Sequence, residues 1–236
     1  MVPDSRLIED LVVANRILAA QGIVDGFGHV SARHDEFPDR FLLARSMAPA
    51  LVTAGDIMEF DLDGKPYELQ GRAVYLERFI HGEIYRARPD VMSVVHSHSP
   101  SVIPFGVTGK SLKPIYHMSG FLASGVPIFE IRDGAGDGTD MLISDRKLGA
   151  ALAKTLGAAT AALMRGHGDV VVGTSVMQSV YRAIYTEMNA KLELEARQLG
   201  TIKYLSKREG IAAAAVNDKV MLRAWELWKR AAMAGM

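Results

Sequence analysis

The sequence predicts a single α/β layered domain spanning residues 1–236. Three features carry that expectation. Apolar residues recur with the helical period at both ends of the chain, short β-branched runs bounded by turn residues fill the middle, and no repeat, low-complexity tract or long linker divides them.

In chain order, residues 4–21 set Leu7, Leu11, Ala14 and Leu18 on one helical stripe, and Gly22 supplies a C-terminal stop. Strands are expected over 29–33, 40–44 and 57–61 as a meander, with Asp63-Gly64 as a hairpin signal. Residues 73–87 return to the helical pattern, which Arg88-Pro89 ends because a residue before proline avoids the helical region. The runs 91–95 and 126–129 read as further strands. Ser144-Asp145 caps a helix through Leu156, and Val170 to Gly173 forms a short apolar strand. Ser175 opens a long helix to about Leu199; residues 203–236 continue as helix, with Trp225 and Trp228 on one face.

Composition narrows the function. Lys plus Arg balances Asp plus Glu at 27 each, so there is no basic footprint for nucleic acid and no polybasic membrane patch; a small-molecule partner is expected. The N-terminal stretch mixes acids with apolar residues, unlike a signal peptide, and no run approaches a membrane span. With no cysteine, disulfides and thiolate ligands are excluded, and any metal must be held by histidine and carboxylate. A cytoplasmic location fits this composition.

Candidate chemistry begins at Val94-Val95-His96-Ser97-His98-Ser99-Pro100. Side chains alternate along a strand, so His96 and His98 point to the same side and suit one divalent cation, or else decorate a solvated strand end. His167, between Gly166 and Gly168, is a candidate third ligand, since the glycines let the backbone approach closely; alone it is an ordinary turn residue. Glu77 lies one helical turn before His81 and can ligate a metal or move protons, or is simply a surface helix residue.

Several motifs together resemble the class II aldolase/adducin family. They are Gly28-His29-Val30-Ser31, Phe41 to Ser46, Asp61-Leu62-Asp63-Gly64-Lys65, Glu77-x-x-x-His81, Arg88-Pro89-Asp90, Val95-His96-Ser97-His98 and Gly166-His167-Gly168. The resemblance implies a three-layer α/β/α sandwich around a mostly antiparallel sheet. It also implies a homotetramer with sites between subunits, and one divalent ion per subunit, Mn2+ or Zn2+. By the same resemblance His96, His98 and His167 are the metal ligands, and Glu77 is the acid/base group.

The chain departs from the family's sugar-phosphate enzymes where they grip phosphate. The asparagine of their Gly-Asn-x-Ser turn is His29, their Thr-Pro-Ser-Gly loop reads Ala44-Arg45-Ser46-Met47, and their serine pair reads Tyr75-Leu76. A guanidinium at Arg45 can pair with a planar carboxylate, or lie in a surface salt bridge, while Tyr75 and Met47 suit a flatter, less polar pocket. His29, Arg45 and Ser46 are therefore the substrate-binding candidates. His29 is expected to titrate near neutrality, and His34 and His81 to be structural or exposed. His117 stands at the place where related aldolases carry a tyrosine that donates a proton across the subunit interface, and with Glu77 it is the catalytic candidate, as a proton donor.

The resemblance is strongest to the family's non-oxidative decarboxylases of hydroxylated aromatic ortho-dicarboxylates, so a metal-dependent carbon–carbon lyase is expected. The expected substrate is 3-hydroxy-2-methylpyridine-4,5-dicarboxylate of vitamin B6 degradation, with a dihydroxyphthalate as its near neighbour. A sugar-phosphate aldolase or epimerase and a non-catalytic adducin-like binding module are the alternatives.

Overall fold

Seven short strands pair into one sheet in a computed structural model that describes residues 3–234. They are β1 (His29–Arg33), β2 (Arg40–Ala44), β3 (Ile57–Asp61), β4 (Ser93–Ser97), β5 (Ile128–Phe129), β6 (Ala161–Met164) and β7 (Gly168–Gly173). Their order across the sheet is β3-β2-β1-β4-β7-β6-β5. Each pairing is antiparallel except β5 with β6, so the sheet is mostly antiparallel as expected.

The period of two along the strands sorts side chains into two cores. On one face Val30, Leu42, Val95 and Val171 pack beneath α1 (Ser5–Ala20), α6 (Val176–Leu199) and Trp225 of α8 (Leu222–Met233). On the other face Phe41, Leu43, Val94, Val170 and Val172 pack against α2 (Arg78–Ala87) and α5 (Arg146–Leu156). This is the three-layer α/β/α arrangement. Short helices α3 (Ile103–Thr108) and α4 (Arg132–Ala135) lie in connections, and α7 (Lys207–Val220) precedes α8.

Local chemistry explains the ends of the helices. Asp145 accepts a hydrogen bond from the Leu148 N–H, Ser175 one from Gln178, and Ser206 forms a capping box with Glu209. Several elements differ from the sequence expectation: β4 covers Ser93–Ser97 and not 91–95, β5 covers only Ile128–Phe129, β6 is not among the expected strands, the C-terminal helix divides into α7 and α8, and α2 starts at Arg78, not near residue 73. The preceding turn is tied elsewhere, because the Tyr75 hydroxyl donates to the Met47 carbonyl and the Glu77 carboxylate accepts from the Ile143 N–H. Among the described residues, no helix is long and apolar enough to cross a membrane.

Candidate metal centre and adjoining cavity

Three separate pieces of chain bring Glu77, His96, His98 and His167 together, each offering one ligand atom, all within 4.8 Å of one another. His96 lies on β4, and His98 one residue beyond its end projects to the same side. His167 sits in the turn joining β6 to β7, and Glu77 comes from the residue before α2. The turn depends on its glycines. Gly166 has φ +67, and a Cβ on Gly168 would stand 1.9 Å from the Ser97 carbonyl oxygen, so β7 passes the end of β4 at a distance open to glycine alone.

Backbone carbonyls set which nitrogen of each imidazole faces the centre. His96 Nδ1–H donates to the Asp169 carbonyl at 3.0 Å and His167 Nδ1–H to the Met141 carbonyl at 2.9 Å. Each therefore turns the lone pair of Nε2 inward, the usual outer-shell arrangement of a metal-binding histidine. His96 Nε2 is 3.4 Å and His167 Nε2 3.5 Å from Glu77 Oε2, while His98 Nε2 is 3.1 Å from His167 Nε2. Lone pairs and an anionic oxygen this close repel unless a cation lies among them. His96 Nε2 is moreover fully buried without a hydrogen-bond partner. This donor set fits a divalent ion held by three nitrogens and one carboxylate, with room for further ligands.

The electrostatics show the same demand for positive charge at this point. Burial works against the charge on Glu77, yet His96 and His167, by presenting N–H and positive charge to it, outweigh burial and hold the carboxyl well below the usual carboxylate range. Against burial, Glu77 in turn raises His96. A bound cation would take over that role and leave the imidazoles neutral. Glu77 is thus ionised, able to ligate or to accept a proton. Burial, reinforced by His96 and His167, pushes His98 down to about 4, which keeps it neutral as a ligand must be.

A cavity of about 300 Å³ opens beside the cluster. Phe27, His29, Ser46, Met47, Tyr75 and Leu142 line it together with Glu77 and His98. His29 lies directly opposite His96 across the β1–β4 pair, and its ring packs on Tyr75 at 4.6 Å between centroids. Its expected titration near neutrality is corrected here: burial, with His81 and His96 close by, holds it well below the ordinary histidine value. His29 therefore meets a substrate as a neutral hydrogen-bonding group, not as a cation.

Other sequence-based assignments land elsewhere. The carboxylate that Arg45 binds is Asp56 of the same chain, at 2.6 Å from Nε, and Arg45 is not among the cavity-lining residues. The alternative of a salt bridge is the one realised, because Arg45 and Asp56 are also joined by the Arg45 N–H to the Asp56 carbonyl. His117 is exposed at the start of a 3-10 segment whose middle residues are buried, and it does not line the cavity of its own chain. His34 and His81 are buried; His81 bonds to both His29 and Ser31, so it belongs to the site's surroundings.

Sequence reasoning missed the segment 139–143, which carries no histidine or glycine. Met141 supplies the carbonyl that orients His167, and Ile143 the N–H that holds Glu77. Met141 does so at φ +72, a left-handed conformation unusual for a side-chain-bearing residue and of the kind found where backbone is held for function.

Residues 9–194 match the family described as Class II Aldolase and Adducin N-terminal domain. Among curated relatives, the chain is 36% identical to decarboxylase tropJ of Talaromyces stipitatus over 97% of its own length and 95% of the relative's. It is 34% identical to the 3,4-dihydroxyphthalate decarboxylase of Arthrobacter keyseri, over 81% of this chain and 79% of that one. Among solved structures, the L-fuculose 1-phosphate aldolase of Glaciozyma antarctica PI12 superposes with a TM-score of 0.79 at 24% identity, covering 96% of this chain and 88% of that chain. An aldolase II superfamily protein of Pseudomonas syringae gives 0.80 at 21% identity, covering 100% and 95%. At these identities the structures speak for the fold, while the matched residues and the curated relatives speak for descent: the chain belongs to the class II aldolase/adducin family.

Proposed function

We propose that this protein is a divalent-metal-dependent, non-oxidative decarboxylase of a hydroxylated aromatic ortho-dicarboxylate. The observation that carries the reading is the convergence of Glu77, His96, His98 and His167 beside a cavity that Glu77 and His98 line together with Tyr75, Met47 and Phe27. Such walls suit a flat ring. The curated relatives support the reaction class, two of them being named decarboxylases. The serine of the Gly-x-x-Ser turn also speaks against a phosphate grip, because Ser31 Oγ is buried and committed to His81 and Tyr85.

His96, His98 and His167 would hold the ion, with Glu77 as a further ligand or as the proton carrier. When bound, a divalent ion supplies a Lewis acid that stabilises negative charge on a ring oxygen. The ionised Glu77 takes the proton of the ring hydroxyl and passes it to the ring carbon bearing the neighbouring carboxylate. The ring is then a β-keto acid; the bond to the carboxylate breaks, carbon dioxide leaves, and the electron pair restores the aromatic ring as its phenolate. A proton from solvent, or from His117 of a neighbouring subunit, completes the product. His29 and Ser46 contact the substrate from the cavity wall.

The preferred ion is Mn2+ or Zn2+, and the preferred substrate 3-hydroxy-2-methylpyridine-4,5-dicarboxylate, which would put the protein in vitamin B6 degradation in the cytoplasm. A homotetramer belongs to the same reading. Exposed Ile211, Val216, Val220, Leu222 and Leu227 on α7 and α8 support an apolar interface. The test is carbon dioxide release and product mass from metal-loaded protein given this pyridine, 3,4-dihydroxyphthalate or fuculose 1-phosphate. Loss of one carboxylate from either aromatic compound is expected. Cleavage of the sugar phosphate with both aromatics untouched would overturn the reading.

A further inference from the structure

A line of buried polar groups runs from His29 away from the cavity and is not needed to hold a metal. His29 Nδ1 is 2.6 Å from His81 Nε2, His81 Nδ1 is 2.6 Å from Ser31 Oγ, and Ser31 Oγ is 2.7 Å from the Tyr85 hydroxyl. His81 and Tyr85 stand four residues apart on α2 and face β1, which carries His29 and Ser31 two residues apart. His29, Ser31, His81 and Tyr85 are all buried, so water does not substitute for a missing partner.

Donor and acceptor counting gives the line a direction. The Tyr85 hydroxyl meets Ser31 Oγ and the Val94 backbone N–H; the N–H can only donate to it, so the hydroxyl's own proton is satisfied by donation to Ser31. Ser31 then donates to His81 Nδ1, which leaves the His81 proton on Nε2. His81 donates in turn to His29 Nδ1, and the proton of His29 sits on Nε2, the ring nitrogen left for the cavity that His29 lines. The opposite direction ends on a buried tyrosine proton without an acceptor, which disfavours it roughly ten- to hundred-fold.

The neighbouring histidines are held the other way. Carbonyl groups of Asp169 and Met141 keep the protons of His96 and His167 on Nδ1 and their Nε2 lone pairs inward. We propose that Tyr85, Ser31 and His81 are positioning residues that fix His29 as the Nε2–H tautomer. His29 is thereby kept out of the metal's ligand set and made a hydrogen-bond donor to an oxygen of the bound substrate. The substrate's identity as an aromatic carboxylate rests on the proposed function; the tautomer does not.

The experiment is nitrogen-15 NMR of the histidine rings in the zinc-loaded protein, with the His29 signals assigned by their loss in His29→Asn. The wild type is expected to show His29 protonated at Nε2 and bare at Nδ1. Ser31→Ala, which cuts the line, is expected to raise the other tautomer about tenfold. His81→Gln, whose amide N–H can still donate to His29 and whose carbonyl can accept from Ser31, is expected to restore the wild-type pattern. Tyr85→Phe serves if Ser31→Ala does not fold. A wild-type His29 protonated at Nδ1, or a tautomer unmoved when the line is cut, would overturn the proposal. Either result stands whether or not the protein decarboxylates an aromatic acid.

Discussion

Replacing Gly168 by alanine tests how closely the metal centre depends on the contact between β4 and β7. The added Cβ would stand 1.9 Å from the Ser97 carbonyl oxygen, 2.9 Å from its carbon and 3.0 Å from His98 Cα. All three are backbone atoms, so no side-chain rotation relieves the clash, and the strands must separate by about 1 Å. Overpacking of this kind costs typically about 1–3 kcal/mol, and a backbone-on-backbone clash belongs at the upper end, near 3 kcal/mol. For a chain of this size each kcal/mol moves Tm by roughly 2–4 °C, which gives a fall of about 6–12 °C. The same displacement moves His98 against His167, whose ring nitrogens lie 3.1 Å apart, by several times the roughly 0.2 Å that metal–ligand distances tolerate. Calorimetric melting and zinc titration of Gly168→Ala measure both effects. Gly55→Ala is the control, since the nearest atom to its Cβ is Thr53 Oγ1 at 4.0 Å. A Gly168→Ala protein with a Tm within about 2 °C of wild type and undiminished zinc affinity would refute the reasoning.

His96→Ala or His98→Ala should leave the domain folded but lower metal affinity by more than the roughly 10–100-fold cost of losing an outer-shell partner; circular dichroism and metal titration check this, and global unfolding would contradict it. Glu77→Gln keeps an oxygen to accept from the Ile143 N–H, so it should retain metal while turnover falls by about 10²–10⁴. Wild-type turnover in that variant would remove Glu77 from the proton path. Arg45→Ala breaks a partly exposed pair with Asp56, so stability should fall by at most about 1 kcal/mol and the Michaelis constant should not move. A large rise in that constant would return Arg45 to substrate binding.

Much of the fold is legible in the sequence because its signals are local. Asp145 and Ser175 announce helix starts through their own carboxylate or hydroxyl chemistry. The runs at His29, Arg40 and Ile57 read as strands because each is a short run between turn residues, and all three form strands. The misses come from bonds between distant residues. Tyr75 and Glu77 are held by Met47 and Ile143, which shortens α2 at its start. Arg45 finds its carboxylate eleven residues away in Asp56, a pairing no periodicity marks. Of the two readings of His81, structural or exposed, the structural one holds, though its partners His29 and Ser31 emerge only when β1 is laid beside α2; the left-handed Met141 has no glycine or asparagine to signal it. His96, His98 and His167 stand out because the chemistry of a metal ligand is carried by residue type; what orients them is backbone, which residue type does not encode.

The most direct test of the account is a metal titration of carbon dioxide release. Chelator-stripped protein is given a hydroxylated aromatic ortho-dicarboxylate, and Mn2+ or Zn2+ is added in fractions of an equivalent per chain. The account predicts no release without metal, a linear rise that breaks at one equivalent per chain, and no recovery in His96→Ala. Release from the stripped protein at the wild-type rate would contradict it.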